Sequence, residues 1–191
     1  WQLLERRILG QIKDKGTTVD LIFNWLMNVN TATSRSLGLD VGKLLFGPVH
    51  RGLGGHLRTL ISGGSALPKD VHKTFAGLGL HIAEGYGLTE AAPVLAVASA
   101  GPKNRAGSVG KAIPGVELKI EQPDNDGVGE VWAKGPNVML GYADNEAATA
   151  EVLDDGWLKT GDLGKLDKKG RLQIVGRQKD VVVTTSGENV Y

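Results

Sequence analysis

The chain has 191 residues, of which 41% are hydrophobic, enough to bury the core of one domain or slightly more. Its 22 basic and 21 acidic side chains leave a formal charge of +1, which gives no indication of binding to nucleic acid or to an anionic membrane. Because cysteine is absent, disulfides, thiolate catalysis and cysteine-bound zinc are excluded. No apolar run reaches the roughly 20 residues that span a bilayer and no leader is visible, so we expect a cytoplasmic protein.

The N-terminal part has the apolar period of amphipathic helices. The pattern predicts one helix over residues 3–12 and a second over 17–38, followed by a short helix over 40–45. Trp25 lies within the second helix, and we expect it to pack in the core rather than to form the wall of a ligand site. The histidines lack the spacing of a helical metal-ligand pair, so we expect them to be structural or solvated.

A β-α-β unit follows. It consists of an apolar strand over 57–62, a helix that begins at Pro68 and a second strand over 80–83. Such a unit pairs its strands in parallel, and glycine-rich loops over 62–65 and 85–89 leave their carboxyl ends. Because ligands of open α/β sheets bind at this edge, the two loops are candidate site elements.

The chain beyond Arg105 has short alternating runs separated by turn residues, which predict a compact β-rich subdomain. Its predicted strands are 116–121, 130–134, 157–160 and 171–175. Hairpin turns are expected over 123–127 and 167–170, and a short helix over 145–152.

Residues 84–90 read Glu-Gly-Tyr-Gly-Leu-Thr-Glu, and their side chains suit a nucleotide. The ring of Tyr86 can stack on a base, the hydroxyl of Thr89 can donate to phosphate, and the carboxylate of Glu90 can hold a divalent cation that the phosphate carries. Taken alone, the same string also fits an ordinary turn that leads into a helix.

Two further polar residues fit the ribose of a nucleotide. Asp162 ends the run Gly-Trp-Leu-Lys-Thr-Gly-Asp, where it can accept ribose hydroxyls or can simply be a solvated hairpin carboxylate. Arg177 offers a fixed fork of donors toward phosphate or ribose oxygens, although an arginine in a loop is commonly just solvated.

Four motifs then give a resemblance to a known superfamily. They are Gly-Tyr-Gly-Leu-Thr-Glu over 85–90; Gly-Glu-Val over 129–131 with Gly-Tyr at 141–142 and Thr149; Gly-Trp-Leu-Lys-Thr-Gly-Asp over 156–162; and Gly-Arg-Gln-Lys-Asp over 176–180 with Ser-Gly-Glu-Asn-Val-Tyr over 186–191. In this order they resemble the adenylate-forming superfamily of acyl-CoA synthetases, peptide-synthetase adenylation domains and luciferases. Residues 62–68 and 107–111 look most like long-chain fatty acyl-CoA synthetases.

The resemblance implies an α/β fold that begins with part of a parallel-sheet subdomain, over residues 1–104. A small β-rich subdomain shaped as a distorted barrel follows over 105–176, and the start of a mobile C-terminal domain over 177–191. Lys179 and Asp180 occupy the interdomain hinge in this family.

The activity that the resemblance implies is that of an ATP-dependent fatty acid–CoA ligase. Such an enzyme uses Mg²⁺ and ATP to form an acyl-adenylate, and then transfers the acyl group to coenzyme A. The family's phosphate loop and catalytic lysine are expected before Trp1 and after Tyr191, so we expect the 191-residue piece alone to be inactive. Small-molecule substrates and no nucleic acid are expected as partners, and peripheral membrane contact of the full-length protein stays open.

Matching the motifs assigns a role to each site residue. Thr89 and Glu90 are the catalytic residues, and Glu90 is the metal ligand. The nucleotide-binding set comprises Gly64, Ser65, Gly85, Tyr86, Gly87, Leu88, Thr89, Asp162 and Arg177. Two alternatives are an adenylation domain or aryl-acid ligase, which would share these residues, and a non-catalytic nucleotide-binding or interaction module.

Overall fold

The structure is a computed structural model that describes residues 1–102, 104–180, 182–183 and 189–190, the last two pairs by their backbone only. The chain divides into two compact units. Unit 1 comprises Trp1–Ala83 and Ser99–Gly107, and unit 2 comprises Glu84–Ala98 and Ser108–Tyr191. The mixed α/β class expected from the sequence is confirmed.

Unit 1 is mainly helical. Its elements in chain order are α1 (Gln2–Lys13), α2 (Thr17–Leu37), α3 (Gly42–Leu45), α4 (Gly47–Gly52), β1 (Leu60–Ser62), α5 (Lys69–Gly77) and the first part of β2 (Ile82–Tyr86). The strands β1 and β2 form the parallel pair predicted around α5. The helix α4 is an addition to the prediction, because the Gly47-Pro48 pair that ends one helix also starts the next, where the missing amide of Pro48 costs no hydrogen bond.

The core of unit 1 lies between α2, α5 and β2. Its fully buried side chains include Val71, Phe75, Leu78 and Ile82. The prediction that Trp25 packs in the core is wrong, because 63% of its surface is exposed. Each helical residue turns by about 100°, so Trp25 lies about 200° from the buried Phe23, on the opposite side of α2.

The inner face of α2 ends in a polar network instead of apolar side chains. The buried Asn30 donates to the carbonyl oxygen of Gly77 at 3.1 Å and to the Asp40 carboxylate at 3.1 Å, and it accepts from the Val41 amide at 2.9 Å. His81 Nε2 lies 2.6 Å from Asp40 Oδ2. These bonds satisfy the polar groups that the helix buries and fix the chain after α2.

Unit 2 is built from antiparallel strands. They are the end of β2, β3 (Ala96–Val97), β4 (Lys111–Ala112), β5 (Glu117–Glu121), β6 (Gly129–Lys134), β7 (Leu153–Asp154), β8 (Trp157–Leu166), β9 (Leu172–Arg177), β10 (Val182–Val183) and β11 (Asn189–Val190). The unit also contains the α-helix α6 (Glu146–Val152). The strands β5 to β9 form one sheet in the order β5-β6-β8-β7, with β9 paired to β8. This sheet curls into half a barrel, as the prediction of a distorted barrel requires.

The predicted strands and turns of unit 2 are present, with β8 longer than expected. Hairpin turns over 123–127 and 167–170 join β5 to β6 and β8 to β9. Along β8 buried and half-buried residues alternate, and Leu158, Thr160 and Asp162 face inward toward a core that includes Val131. Among the described residues, no helix combines the length and the apolar character that a bilayer crossing requires.

Candidate functional site

Asp162 is the centre of the candidate site. It lies inside β8 and is only 6% exposed, so the alternative of a solvated hairpin carboxylate is wrong for this residue. The hydroxyl of Tyr86 donates to Asp162 Oδ2 at 2.8 Å, and Arg177 Nε donates to Asp162 Oδ1 at 2.8 Å. Three residues that the sequence singled out separately are therefore in direct contact within unit 2.

Strand pairing brings these three residues together. Asp162 and Arg177 are direct cross-strand partners of β8 and β9, and Tyr86 is the last residue of β2, where it pairs with Ala96. Next to them, Thr160 Oγ1 donates to the Val131 carbonyl oxygen at 2.7 Å and accepts from the Asp162 amide at 3.1 Å. Hydrogen bonds therefore fix both the backbone amide and the side chain of Asp162.

The protonation states of Tyr86 and Arg177 favour a fixed arrangement. Burial raises the pKa of the Tyr86 phenol far above its ordinary value, and the neighbouring Asp162 carboxylate raises it further. The hydrogen bond to Asp162 likewise raises the pKa of the Arg177 guanidinium. Since 61% of the Arg177 side chain is exposed, its remaining N–H groups can bind a ligand while Nε holds the carboxylate.

Glu90 is the second part of the candidate site. It lies in a 3₁₀ turn, Thr89–Ala91, which two residues separate from the end of β2, and there Thr89 is exposed and Glu90 half-buried. The Tyr142 hydroxyl donates to Glu90 Oε1 at 2.9 Å, and this bond raises the pKa of Tyr142. Tyr142 stands out in the sequence only as part of a motif, and no local pattern predicts its contact with Glu90, which lies 52 positions earlier.

A cavity of about 550 Å³ joins the two parts within unit 2. Its lining includes Leu88, Glu90, Tyr142, Thr160 and Arg177. Tyr86 and Asp162 are not among the described residues that line it, and Tyr86 is only 9% exposed. The cavity is large enough for a nucleotide, and stacking of Tyr86 on its base stays a prediction.

Comparisons with known proteins identify the family. The family model of the AMP-binding enzyme matches residues 16–143. The chain belongs to this family.

Relatives of the family carry ligase names. A long-chain-fatty-acid–CoA ligase of Mycobacterium bovis is 40% identical over 148 residues, which are 78% of this chain and 24% of that protein. The long-chain-fatty-acid–CoA ligase ACSBG2 of Rattus norvegicus is 42% identical over 203 residues, covering 100% of this chain and 30% of that protein. The chain therefore spans about a quarter to a third of the length of these relatives.

Solved structures of the family have the same fold. ATP-bound MatB from Rhodopseudomonas palustris is 37% identical with a TM-score of 0.63, over 72% of this chain and 28% of that one. The o-succinylbenzoate coenzyme A synthetase MenE from Bacillus subtilis, in complex with ATP and magnesium ion, is 31% identical with a TM-score of 0.62, over 75% and 33%. The resemblance to adenylate-forming enzymes, most like long-chain fatty acyl-CoA synthetases, is thus confirmed.

The glycines assigned to the AMP-binding site differ in their surroundings. Gly85 lies within β2 and pairs with Val97, so the motif begins as strand and not as loop. A Cβ at Gly87 would lie 1.8 Å from the carbonyl oxygen of Pro93, so the protein's own backbone already requires this glycine. Gly64 and Ser65 are exposed in the loop after β1 of unit 1, and their role toward a nucleotide stays a prediction.

The residues expected at the hinge of the family lie in an exposed 3₁₀ turn, Gln178–Asp180, that follows β9. Lys179 and Asp180 both line the cavity. Most of the motif over 186–191 lies outside the described residues, so the structure leaves the hinge function as a prediction.

The donor set around Glu90 fits Mg²⁺ that arrives with a nucleotide. Among the described residues there is no group of three histidine, aspartate or glutamate side chains that could hold a metal ion alone. Mg²⁺ commonly keeps several waters and binds through one or two carboxylates plus substrate phosphates. Glu90 supplies one such carboxylate, and its Oε2 has no hydrogen-bond partner in the described part of the chain.

Proposed function

We propose that the protein containing this chain is an ATP-dependent fatty acid–CoA ligase that forms an acyl-adenylate and transfers the acyl group to coenzyme A. The observation that carries the proposal is the contact of Tyr86 and Arg177 with the buried Asp162, together with a cavity that Arg177 and Glu90 both line. Within unit 2, Asp162 supplies a carboxylate that can accept from ribose hydroxyls, Arg177 supplies cationic N–H donors, and Glu90 supplies a carboxylate that can bind a metal ion. The fatty acid as substrate is supported by the names of the relatives.

Asp162 and Arg177 would bind the ribose. Each oxygen of Asp162 accepts one side-chain hydrogen bond from the described residues, which leaves further lone pairs for the hydroxyls of a nucleotide. Arg177 keeps its terminal N–H groups for ribose or phosphate oxygens. Because Tyr86 and Thr160 hold the carboxylate and its backbone, the binding groups are oriented before the nucleotide arrives.

The chemical difficulty is charge, since an anionic carboxylate must attack an anionic α-phosphate. One oxygen of the acid forms a bond to the α-phosphorus, the bond to pyrophosphate breaks, and pyrophosphate leaves with the electron pair. Mg²⁺, when bound, would neutralise phosphate charge. From this chain, Glu90 would hold the cation and the exposed Thr89 hydroxyl would donate to a phosphate oxygen.

The second half-reaction transfers the acyl group to a thiol. The coenzyme A sulfur attacks the acyl carbon, the bond to the AMP oxygen breaks, and the thiol proton is lost to solvent or base. The Asp162 and Arg177 contacts would keep AMP in place as the leaving group. Lys179 and Asp180, in the turn after β9, would be the hinge about which a C-terminal domain reorients between the half-reactions.

The test is pyrophosphate release by the full-length protein with a fatty acid, ATP and Mg²⁺. Glu90→Gln keeps the size of the side chain but removes the charge, so we expect the rate at 1 mM Mg²⁺ to fall by about 10²-fold or more. Glu117→Gln, in an exposed position of β5, is the matched control and should keep the rate. If both variants keep the rate, Glu90 is not the metal ligand; if ATP protects the protein against heat without pyrophosphate release, it is a nucleotide-binding module.

A second candidate is a coenzyme A ligase for aryl acids. The similarity to o-succinylbenzoate coenzyme A synthetase, at 31% identity, favours it. Both candidates would use the same ATP residues, so only the acid discriminates between them. Parallel assays with saturated fatty acids of increasing length and with benzoate-type acids would separate the two: a preference for aromatic acids would replace the fatty acid in the proposal.

A further inference from the structure

Tyr142 reaches Glu90 from the loop between β6 and α6. Its hydroxyl donates to Glu90 Oε1 at 2.9 Å, while the backbone of the same loop contacts the backbone of Glu90, because the Met139 amide donates to the Glu90 carbonyl oxygen at 2.8 Å. The main chain and the side chain of Glu90 are therefore both held by residues 139–142. Only Oε2 is left for a ligand among the described contacts.

The start of α6 in turn fixes Tyr142. The Tyr142 amide donates to Thr149 Oγ1 at 2.9 Å, and the Thr149 hydroxyl donates to the carbonyl oxygen of Asn145 at 2.9 Å. Asn145 caps α6, since its side chain accepts from the Ala148 amide at 3.1 Å. A continuous series of hydrogen bonds thus runs from the cap of α6 through Tyr142 to the Glu90 carboxylate.

We propose that Tyr142 is a positioning residue, which holds Oε1 of Glu90 so that Oε2 is presented to the cation that accompanies ATP. The inference rests on the proposed function, in which Glu90 is the metal ligand. Glutamate has three rotatable side-chain bonds, and a hydrogen bond to one oxygen selects among its rotamers before the metal arrives. Partners of this kind orient metal-binding carboxylates and tune their affinity.

Orientation explains this contact better than stability does. Tyr142 is 38% exposed, and a hydrogen bond at such a position contributes little net free energy of folding because water can replace it. Its effect on a bound cation is larger, because a loose carboxylate must be ordered at the expense of binding free energy. A purely structural role would therefore change the melting temperature, whereas a positioning role would change the metal affinity.

The test variant is Tyr142→Phe in the full-length protein, which removes the hydroxyl and keeps the ring. Binding of Mn²⁺, as a paramagnetic substitute for Mg²⁺, is measured by electron paramagnetic resonance with a non-hydrolysable ATP analogue present. We expect the dissociation constant to rise by about tenfold. In pyrophosphate assays, the Mg²⁺ concentration for half-maximal rate should rise more than the maximal rate falls. Ser36→Ala removes a hydroxyl that donates within α2, to the Ala32 carbonyl oxygen, and should change neither quantity.

A pair of variants at Thr149 tests the same series one step back. Thr149→Val removes the acceptor of the Tyr142 amide and should weaken Mn²⁺ binding in the same direction, by a smaller factor. Thr149→Ser keeps the hydroxyl and should restore the affinity. Loss of affinity in both, with a lowered melting temperature, would show damage to the loop itself and contradict positioning.

Glu90→Gln separates failure of this inference from failure of the proposed function. If Glu90→Gln weakens Mn²⁺ binding and Tyr142→Phe does not, Tyr142 is not a positioning residue and the metal role of Glu90 stands. If neither variant changes Mn²⁺ binding, the metal role of Glu90 fails and the inference fails with it. If both weaken it, and Tyr142→Phe does so without lowering the melting temperature, the inference holds.

Discussion

Tyr86→Phe separates the hydroxyl of this residue from its ring. The hydroxyl is buried and donates to Asp162 Oδ2 at 2.8 Å, so the variant leaves a buried carboxylate oxygen without its donor. Removing one partner of a hydrogen bond to a buried charged group costs about 1–3 kcal/mol. For a chain of this length, that loss lowers the melting temperature by about 2–4 °C per kcal/mol. The ring stays in place, so nucleotide binding should weaken less than it does in Tyr86→Ala.

The pH dependence makes the prediction sharper. Burial raises the pKa of Tyr86 in the folded protein above the value of about 10 in the unfolded chain. The group therefore stabilises the fold fully below pH 10, and this contribution is lost as the pH rises above 10. The slope is about 1.4 kcal/mol per pH unit for one proton. Tyr86→Phe has no such proton. The difference in free energy of unfolding between the unchanged protein and this variant should therefore shrink by about 1.4 kcal/mol between pH 8 and pH 11.

Urea unfolding followed by tryptophan fluorescence can measure this difference. In the 191-residue chain, replacing Trp1 and Trp25 by phenylalanine confines the signal to Trp132 and Trp157, which lie in unit 2 with Tyr86. Titration of Tyr142 occurs in both proteins and cancels in the difference. A deficit that is the same at pH 8 and at pH 11 would refute the buried contact between Tyr86 and Asp162.

Two further predictions concern stability. The hydrogen bond from Arg171 lowers the pKa of Asp167 to about 2, so the stability that the Asp167 carboxylate contributes is present above pH 4 and is lost as the pH falls toward 2. In Asp167→Asn the free energy of unfolding should therefore fall less steeply between about pH 4 and pH 2. Asp126→Asn, in the other hairpin, is the control and should not change this slope. Gly110→Ala should lower the free energy of unfolding, measured with urea, by at least about 3 kcal/mol. The φ of Gly110 is +86°, and a Cβ at this position would lie 2.0 Å from the Val97 carbonyl oxygen. Gly170→Ala, at φ +72° but in open space, should cost only about 1–2 kcal/mol. Equal losses at the two glycines would contradict the close approach at Gly110.

The sequence predicts elements well where one local signal decides. The helical period of α1 and α2 and the turn residues of both hairpins each suffice to place an element to within a few residues. The error at Trp25 has a different cause. A bulky apolar side chain on an amphipathic helix favours the core on average, but the position around the helix axis decides, and there Phe23 occupies the buried side.

The environment of Asp162 could be predicted only in part. The motif identifies the residue, but glycines at 161 and 164 indicate the end of a strand, whereas β8 continues through both to Leu166. Burial of the carboxylate depends on that continuation, because it places Asp162 on the inward side of the sheet. The contact between Glu90 and Tyr142 depends on how the loop before α6 returns to the end of β2, which no local pattern determines.

The register between β8 and β9 determines that Asp162 lies next to Arg177 and faces Tyr86. In β8 and β9, Asp162 pairs directly with Arg177, and the irregularity between Leu163 and Gly164 restores the pairing that continues to the hairpin. Because side chains alternate between the two faces of a strand, a shift by one residue would turn Asp162 outward and away from Tyr86. The core that β8 buries through Leu158 and Thr160 opposes such a shift. The free energy that stabilises the half-barrel therefore also fixes the carboxylate to which the nucleotide would bind.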